Sequence, residues 1–119
     1  MNDDRLVTVV ETLAYLRHSA GLLTEDERGA IIDHLAANPT DGDIMPGGGG
    51  LRKLRWGIAG RGKRGGVRLI HYFADRDSPV VLLDIFAKNE KANYSASELA
   101  VMRQLVKRLV DGYRVRRVK

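Results

Sequence analysis

Between Leu51 and Phe73 the chain reads LRKLRWGIAGRGKRGGVRLIHYF, with seven basic side chains (Arg52, Lys53, Arg55, Arg61, Lys63, Arg64 and Arg68) and no acid. Such a set suits chemistry at phosphate. Arginine stays charged and so supplies positive charge, not protons. A lysine crowded by other cations can have its pKa lowered far enough to act as a base or an acid. The chain has no cysteine, no paired carboxylates and no serine–histidine arrangement for nucleophilic attack, and His18, His34 and His71 lack metal-ligand spacing. One reaction fits what remains. When the ribose 2′-OH of RNA attacks the adjacent phosphorus, the substrate brings its own nucleophile. A protein then needs a base for that hydroxyl, positive charge for the developing phosphorane and a proton for the leaving 5′-oxygen.

The charge distribution supports a polyanionic partner. Residues 1–46 hold three basic and nine acidic side chains, whereas residues 47–119 hold seventeen basic and six acidic ones. A basic half of this strength is the electrostatic footprint of a phosphate backbone. At 119 residues one domain is expected, spanning 1–119, and 44% hydrophobic with 29% charged residues is ordinary for a globular protein. No apolar run is long enough for a membrane span, so no membrane partner is expected. The opening Met1-Asn2-Asp3-Asp4 lacks the plan of a signal peptide. Without cysteines nothing calls for an oxidising compartment, and the cytoplasm is the expected location.

The elements that would position the basic residues follow from periodicity. Leu6–Val10 is short, apolar and β-branched, an opening strand. Thr12–Arg17 suits a short helical turn before Gly21. Thr24 and Glu27 form a capping box for a helix to about Ala37, with Ile31, Leu35 and either Arg28 or Ile32 facing inward, and Asn38-Pro39 ends it. His34 beside that stripe reads as a half-buried histidine. Residues 40–50, TDGDIMPGGGG, read as an internal loop. Leu51–Trp56 reads as a strand with Lys53 and Arg55 on one face and Arg52, Leu54 and Trp56 on the other. In Val67–Phe73, alternation sets Arg68, Ile70 and Tyr72 against Val67, Leu69, His71 and Phe73. Asp75–Pro79 is turn chemistry. Val80–Ala87 is almost wholly apolar, as a central strand should be, and its one charge, Asp84, is expected to pair with a basic residue on a neighbouring strand. Ser95 and Glu98 open a last helix with Leu99, Met102, Leu105, Val106, Leu109 and Tyr113 inside and Gly112 as its C-terminal cap. Residues 113–119 read as a basic tail, with a flexible end, a further strand and an RNA contact all left open. The order predicts an α+β domain with a small antiparallel sheet packed by two N-terminal helices and a C-terminal helix.

The run GIAGRGKR at 57–64 imitates the start of a phosphate-binding P-loop. It fails at Arg64, which has no hydroxyl for a magnesium ion, and Gly65-Gly66 leads into a strand rather than a helix. A hairpin loop whose Arg61, Lys63 and Arg64 touch phosphates is the better reading.

Three segments, GGLRKLRW (49–56), GGVRLIHY (65–72) and AKNEK (87–91), stand in an order that resembles the HigB-like branch of the RelE/ParE toxin superfamily. The resemblance runs over nearly the whole chain. It implies the RelE-like fold and the toxin of a type II toxin–antitoxin system: a metal-independent, ribosome-dependent endoribonuclease that cuts messenger RNA, leaves a cyclic phosphate and stops translation. It implies as partners the ribosome with its mRNA and a cognate antitoxin, a helix-turn-helix protein through which operator DNA is bound. It implies no cofactor. Carried over by position, Lys53 and Arg55 match the paired basic residues of the second strand and Arg68 the arginine that stabilises the scissile phosphate. Lys88 and Lys91 fall in the basic segment after the fourth strand, and Tyr94 lies near the tyrosine that stacks on a substrate base. Arg52, Arg61, Lys63 and Arg64 are left to hold ribosomal or messenger phosphates. The chain departs from RelE itself at Asn89, where RelE has an arginine, and in the spacing to Tyr94, which differs by about a residue.

Two other functions fit part of this pattern. A ParE-like toxin shares the fold but poisons DNA gyrase, and such relatives generally lack the strand-borne basic set. A non-catalytic basic RNA-binding module would need the charge but no defined site.

Overall fold

The computed structural model describes residues 5–58, 66–88, 90 and 93–117, with 114–117 as backbone. Its elements run β1 (Val9–Glu11), α1 (Leu13–Ser19), α2 (Glu25–Ala37), β2 (Asp43–Ile44), β3 (Arg52–Trp56), β4 (Val67–Tyr72), β5 (Val80–Ala87) and α3 (Ala96–Arg117). The strands form one sheet in the order β1-β5-β4-β3-β2. β2 through β5 pair antiparallel, as expected, but β1 joins β5 in parallel, so the sheet is mixed. The opening strand is also shifted from Leu6–Val10 to Val9–Glu11, because the pairing with Val80–Leu82 sets its register. Leu6 before it stays exposed.

The alternation in β4 decides how the layers stack. Val67, Leu69 and Phe73 pack with Tyr15 of α1 and Ile31 and Leu35 of α2 on one face of the sheet. Ile70 and Tyr72 pack on the other face with Leu99, Val106 and Val110 of α3. β5 is buried between the two layers. Between Ile70 and His71 the β4–β5 register slips: His71 pairs with Leu82 and Ile70 with Asp84, which leaves Leu83 as an extra residue in a β-bulge.

Local signals hold the helices where the sequence put them. In the α2 capping box the Thr24 hydroxyl accepts the Glu27 N–H and the Glu27 carboxylate accepts the Thr24 N–H. Ser95 and Glu98 repeat that exchange at α3. The Arg28 guanidinium donates to both carboxylate oxygens of Glu11, tying α2 to β1. The C-terminal expectation needs correction. Gly112 does not cap α3, which runs through it to Arg117, so residues 113–117 of the expected tail are helical. An interior glycine costs only about 1 kcal/mol of helix stability, so a helix already anchored by Val106 and Val110 continues through it.

The 40–50 loop is internal, as read, but more ordered than its glycines suggest. It carries β2 at the sheet edge, and Gly47, Gly49 and Gly50 take positive φ, which is the left-handed backbone glycine tolerates best. The Arg103 guanidinium of α3 donates to the Gly47 carbonyl, and a side chain at Gly49 would collide with Arg103.

Candidate phosphate-binding site

The strand register brings three of the expected residues together. Arg55 of β3 stands directly opposite Arg68 of β4, which stands opposite Phe86 of β5. In the adjacent row Asp43, Lys53, Ile70 and Asp84 succeed one another across β2, β3, β4 and β5. Because side chains two apart share a face, Lys53 and Arg55 lie on the α3 side together with Arg68. Arg55 is exposed, while Lys53 and Arg68 are half-buried. Like charges directly opposite each other destabilise a sheet. Among the described residues neither Lys53, Arg55 nor Arg68 has an acidic partner in an ion pair. The row is therefore a concentration of uncompensated positive charge, the condition for holding a phosphate.

Beside this row lies a cleft of about 360 Å³ lined by Asp43, Met45, Pro46, Lys53, Asn93, Tyr94 and Leu99, with Ile44 at its edge. Lys53 connects the cleft to the arginine row. Tyr94 forms one wall, its ring edge-on to Phe86 with centroids 6.0 Å apart. Its hydroxyl donates to Asp84 Oδ2 at 2.7 Å, and burial together with that carboxylate raises the phenol pKa. The phenol is thus held in its protonated form. Tyr94 packs against Phe86 just before α3 and lines the cleft at the same time.

The remaining candidates divide. Lys88 is exposed one residue beyond β5, where its backbone N–H reaches the Gly66 carbonyl at 3.4 Å, so it stands at the hairpin end of the sheet near the arginine row. Arg52 points to the opposite face and donates to the Gly42 carbonyl at 3.2 Å. Arg61, Lys63, Arg64 and Lys91 lie outside the described residues. β3 and β4 are antiparallel neighbours and no helix follows Gly66, so the hairpin reading of the connection holds.

His71 is fully buried, its Nε2 on the Asp41 carbonyl at 2.8 Å, and burial lowers its pKa to about 4. It is a neutral core group facing away from the arginine row. Asp84, by contrast, does not pair with a strand cation. Its Oδ1 meets His18 Nδ1 at 2.6 Å and its Oδ2 accepts from Tyr94. Neither partner lies on a strand; one is on α1 and the other in the segment before α3. A lone charge in an apolar strand signalled that Asp84 would be bonded, but no periodic pattern could name His18, 66 residues away, or Tyr94, 10 residues on in an irregular segment. Asn93, Met45 and Leu99 as cleft walls also went unread, since each comes from a different segment.

The fold is that of a small basic α+β domain. A family model described as the RelE toxin of the RelE/RelB toxin–antitoxin system matches residues 16–114, and the chain belongs to that family. It is therefore a toxin paired with an antitoxin. No helix among the described residues is long and apolar enough to cross a membrane.

Proposed function

We propose that this toxin is a ribosome-dependent endoribonuclease that cuts messenger RNA by attack of the 2′-OH on the neighbouring phosphate. The observation that carries the reading is the Arg55–Arg68 pair, opposed across two strands with Lys53 one row away. In this mechanism the two guanidiniums hold the scissile phosphate and stabilise the charge that builds on its equatorial oxygens. Lys53, between the arginines and the cleft, reaches the reacting hydroxyl, and Lys88 and Lys91 assist at the leaving side. The Tyr94 wall stacks on a base in the cleft and fixes the adjacent ribose for in-line attack. No metal is required, because the substrate supplies the nucleophile and the arginines supply the charge. Arg52, Arg61, Lys63 and Arg64 hold ribosomal or messenger phosphates away from the reacting bond. The chain acts in the cytoplasm and is neutralised by its antitoxin, a helix-turn-helix protein through which it reaches operator DNA.

Induced expression tests this. Growth arrest with translation stopped and cleavage mapped inside the codons of translated messages is expected. Intact messages with gyrase-linked DNA breaks would instead establish a ParE-like activity and overturn the proposal.

A further inference from the structure

A carboxylate in a central apolar strand is costly unless its oxygens are fully bonded. Asp84 is the one acid of β5, its side chain is 17% exposed, and the structure commits three donors to it. Oδ1 takes the Ile85 N–H at 2.9 Å and meets His18 Nδ1 at 2.6 Å, while Oδ2 takes the Tyr94 hydroxyl at 2.7 Å. The backbone is shaped for this. Plain alternation from Leu82 would turn Asp84 toward the α1–α2 layer. The bulge at Leu83 instead pairs it with Ile70, so the carboxylate stands where it can reach His18 of α1 and, on the α3 side, Tyr94. Bulges of this kind re-aim a side chain. Tyr94 in turn lines the cleft together with Lys53.

We infer that Asp84, steadied by His18, is the positioning residue of this site: it clamps the Tyr94 hydroxyl so that the ring stands as a fixed wall over the cleft. This rests on the nuclease reading for its catalytic consequence. Tyr94 then contributes through its ring face and its fixed angle, not through a proton, and Asp84 touches no substrate. Loss of the clamp weakens substrate binding more than the chemical step.

The test combines kinetics with a spectroscopic readout that needs no substrate. With mRNA-programmed ribosomes, Asp84→Ala is expected to raise KM about tenfold while kcat falls less than about threefold. Tyr94→Phe is expected to behave alike, and the double variant no worse than either single one, since both remove the same interaction. Asp84→Asn, which can still accept the phenol O–H, should recover most of the loss. His18→Ala, at a side chain 57% exposed, should give a smaller KM increase with the fold intact and covers the case in which Asp84→Ala does not fold. In the free protein, NMR of labelled tyrosine should show the Tyr94 ring signals shifted and averaged in Asp84→Ala but near their wild-type positions in Asp84→Asn. Additive losses in the double variant, or unchanged Tyr94 signals in Asp84→Ala and His18→Ala, overturn the clamp. A wild-type protein that cuts no message overturns the nuclease reading instead, which the NMR arm separates from the first outcome.

Discussion

At the scale of single residues, the opposed arginines show function set against stability. Arg55 and Arg68 face each other with no acidic partner among the described residues, and their repulsion is screened only by solvent and salt. Arg55→Thr, which keeps a strand-forming residue, is therefore expected to stabilise the fold by about 0.2–1 kcal/mol at low salt. The gain should shrink in high salt, and urea unfolding at two ionic strengths measures it. The same change should cut message cleavage by two orders of magnitude or more, on the order of what one transition-state charge contact supplies. Arg68→Ala should abolish toxicity while leaving the circular dichroism and melting temperature close to wild type. A fully toxic Arg68→Ala variant would remove Arg68 from the site.

At the scale of elements, helix capping acts independently of the site, so a capping variant should separate from it. Thr24→Ala loses the hydroxyl that accepts the Glu27 N–H and should cost about 1 kcal/mol, with cleavage per folded molecule unchanged. Gly66 is different. A Cβ there would sit 2.6 Å from the Trp56 carbonyl oxygen, a backbone atom that cannot swing aside. Gly66→Ala should thus part β3 from β4 at the hairpin end, cost roughly 1–3 kcal/mol and lower activity, because Arg55 and Arg68 lose their register. A variant with full stability and activity would show that the hairpin tolerates the shift.

These cases also explain what could be read from the chain. Both capping boxes and the division of Arg68, Ile70 and Tyr72 from Val67, Leu69 and His71 are local, set by spacings of three and two residues, and they were legible. That Lys53 and Arg55 share a face followed from the same alternation, whereas their expected roles and that of Arg68 came from the family resemblance. β2 was not legible, because two residues in a glycine loop become a strand only by pairing with β3. The parallel pairing of β1 and the His18 partner of Asp84 depend on contacts across some 66–71 residues of chain, which no local pattern encodes. Gly112 misled for the opposite reason: it is a strong local stop signal, but the helix that Val106 and Val110 anchor runs on through it.

At the scale of the whole molecule, His71 links stability to pH. Burial lowers its pKa from 6.5 to about 4, so the unfolded chain binds a proton between those values that the folded chain refuses. Its contribution is present above the unfolded value and is lost as pH falls toward 4. The melting temperature should therefore drop between pH 6.5 and 4, by an amount worth on the order of 2–3 kcal/mol. His71→Gln, which can still donate to the Asp41 carbonyl, should be less stable at pH 7 but follow a flatter profile across that interval. An equally steep profile in the variant would assign the acid lability elsewhere. Asp41, whose pKa is lowered chiefly by its bond from His34, adds its loss only at still lower pH.

The sheet's ends have a consequence for the chain's behaviour in a crowded solution. β2 offers two residues at one border and β1 three at the other, too short to template an added strand. Beyond β1, the stretch Leu83–Ala87 of β5 has no strand neighbour on that side among the described residues, yet the bulge breaks its regular spacing and Asp84 occupies the Ile85 N–H. Each of these borders is therefore a poor seed for stacking one copy on another. A protein made with a strongly apolar central strand is in this way protected from cross-β aggregation by the geometry of its rims.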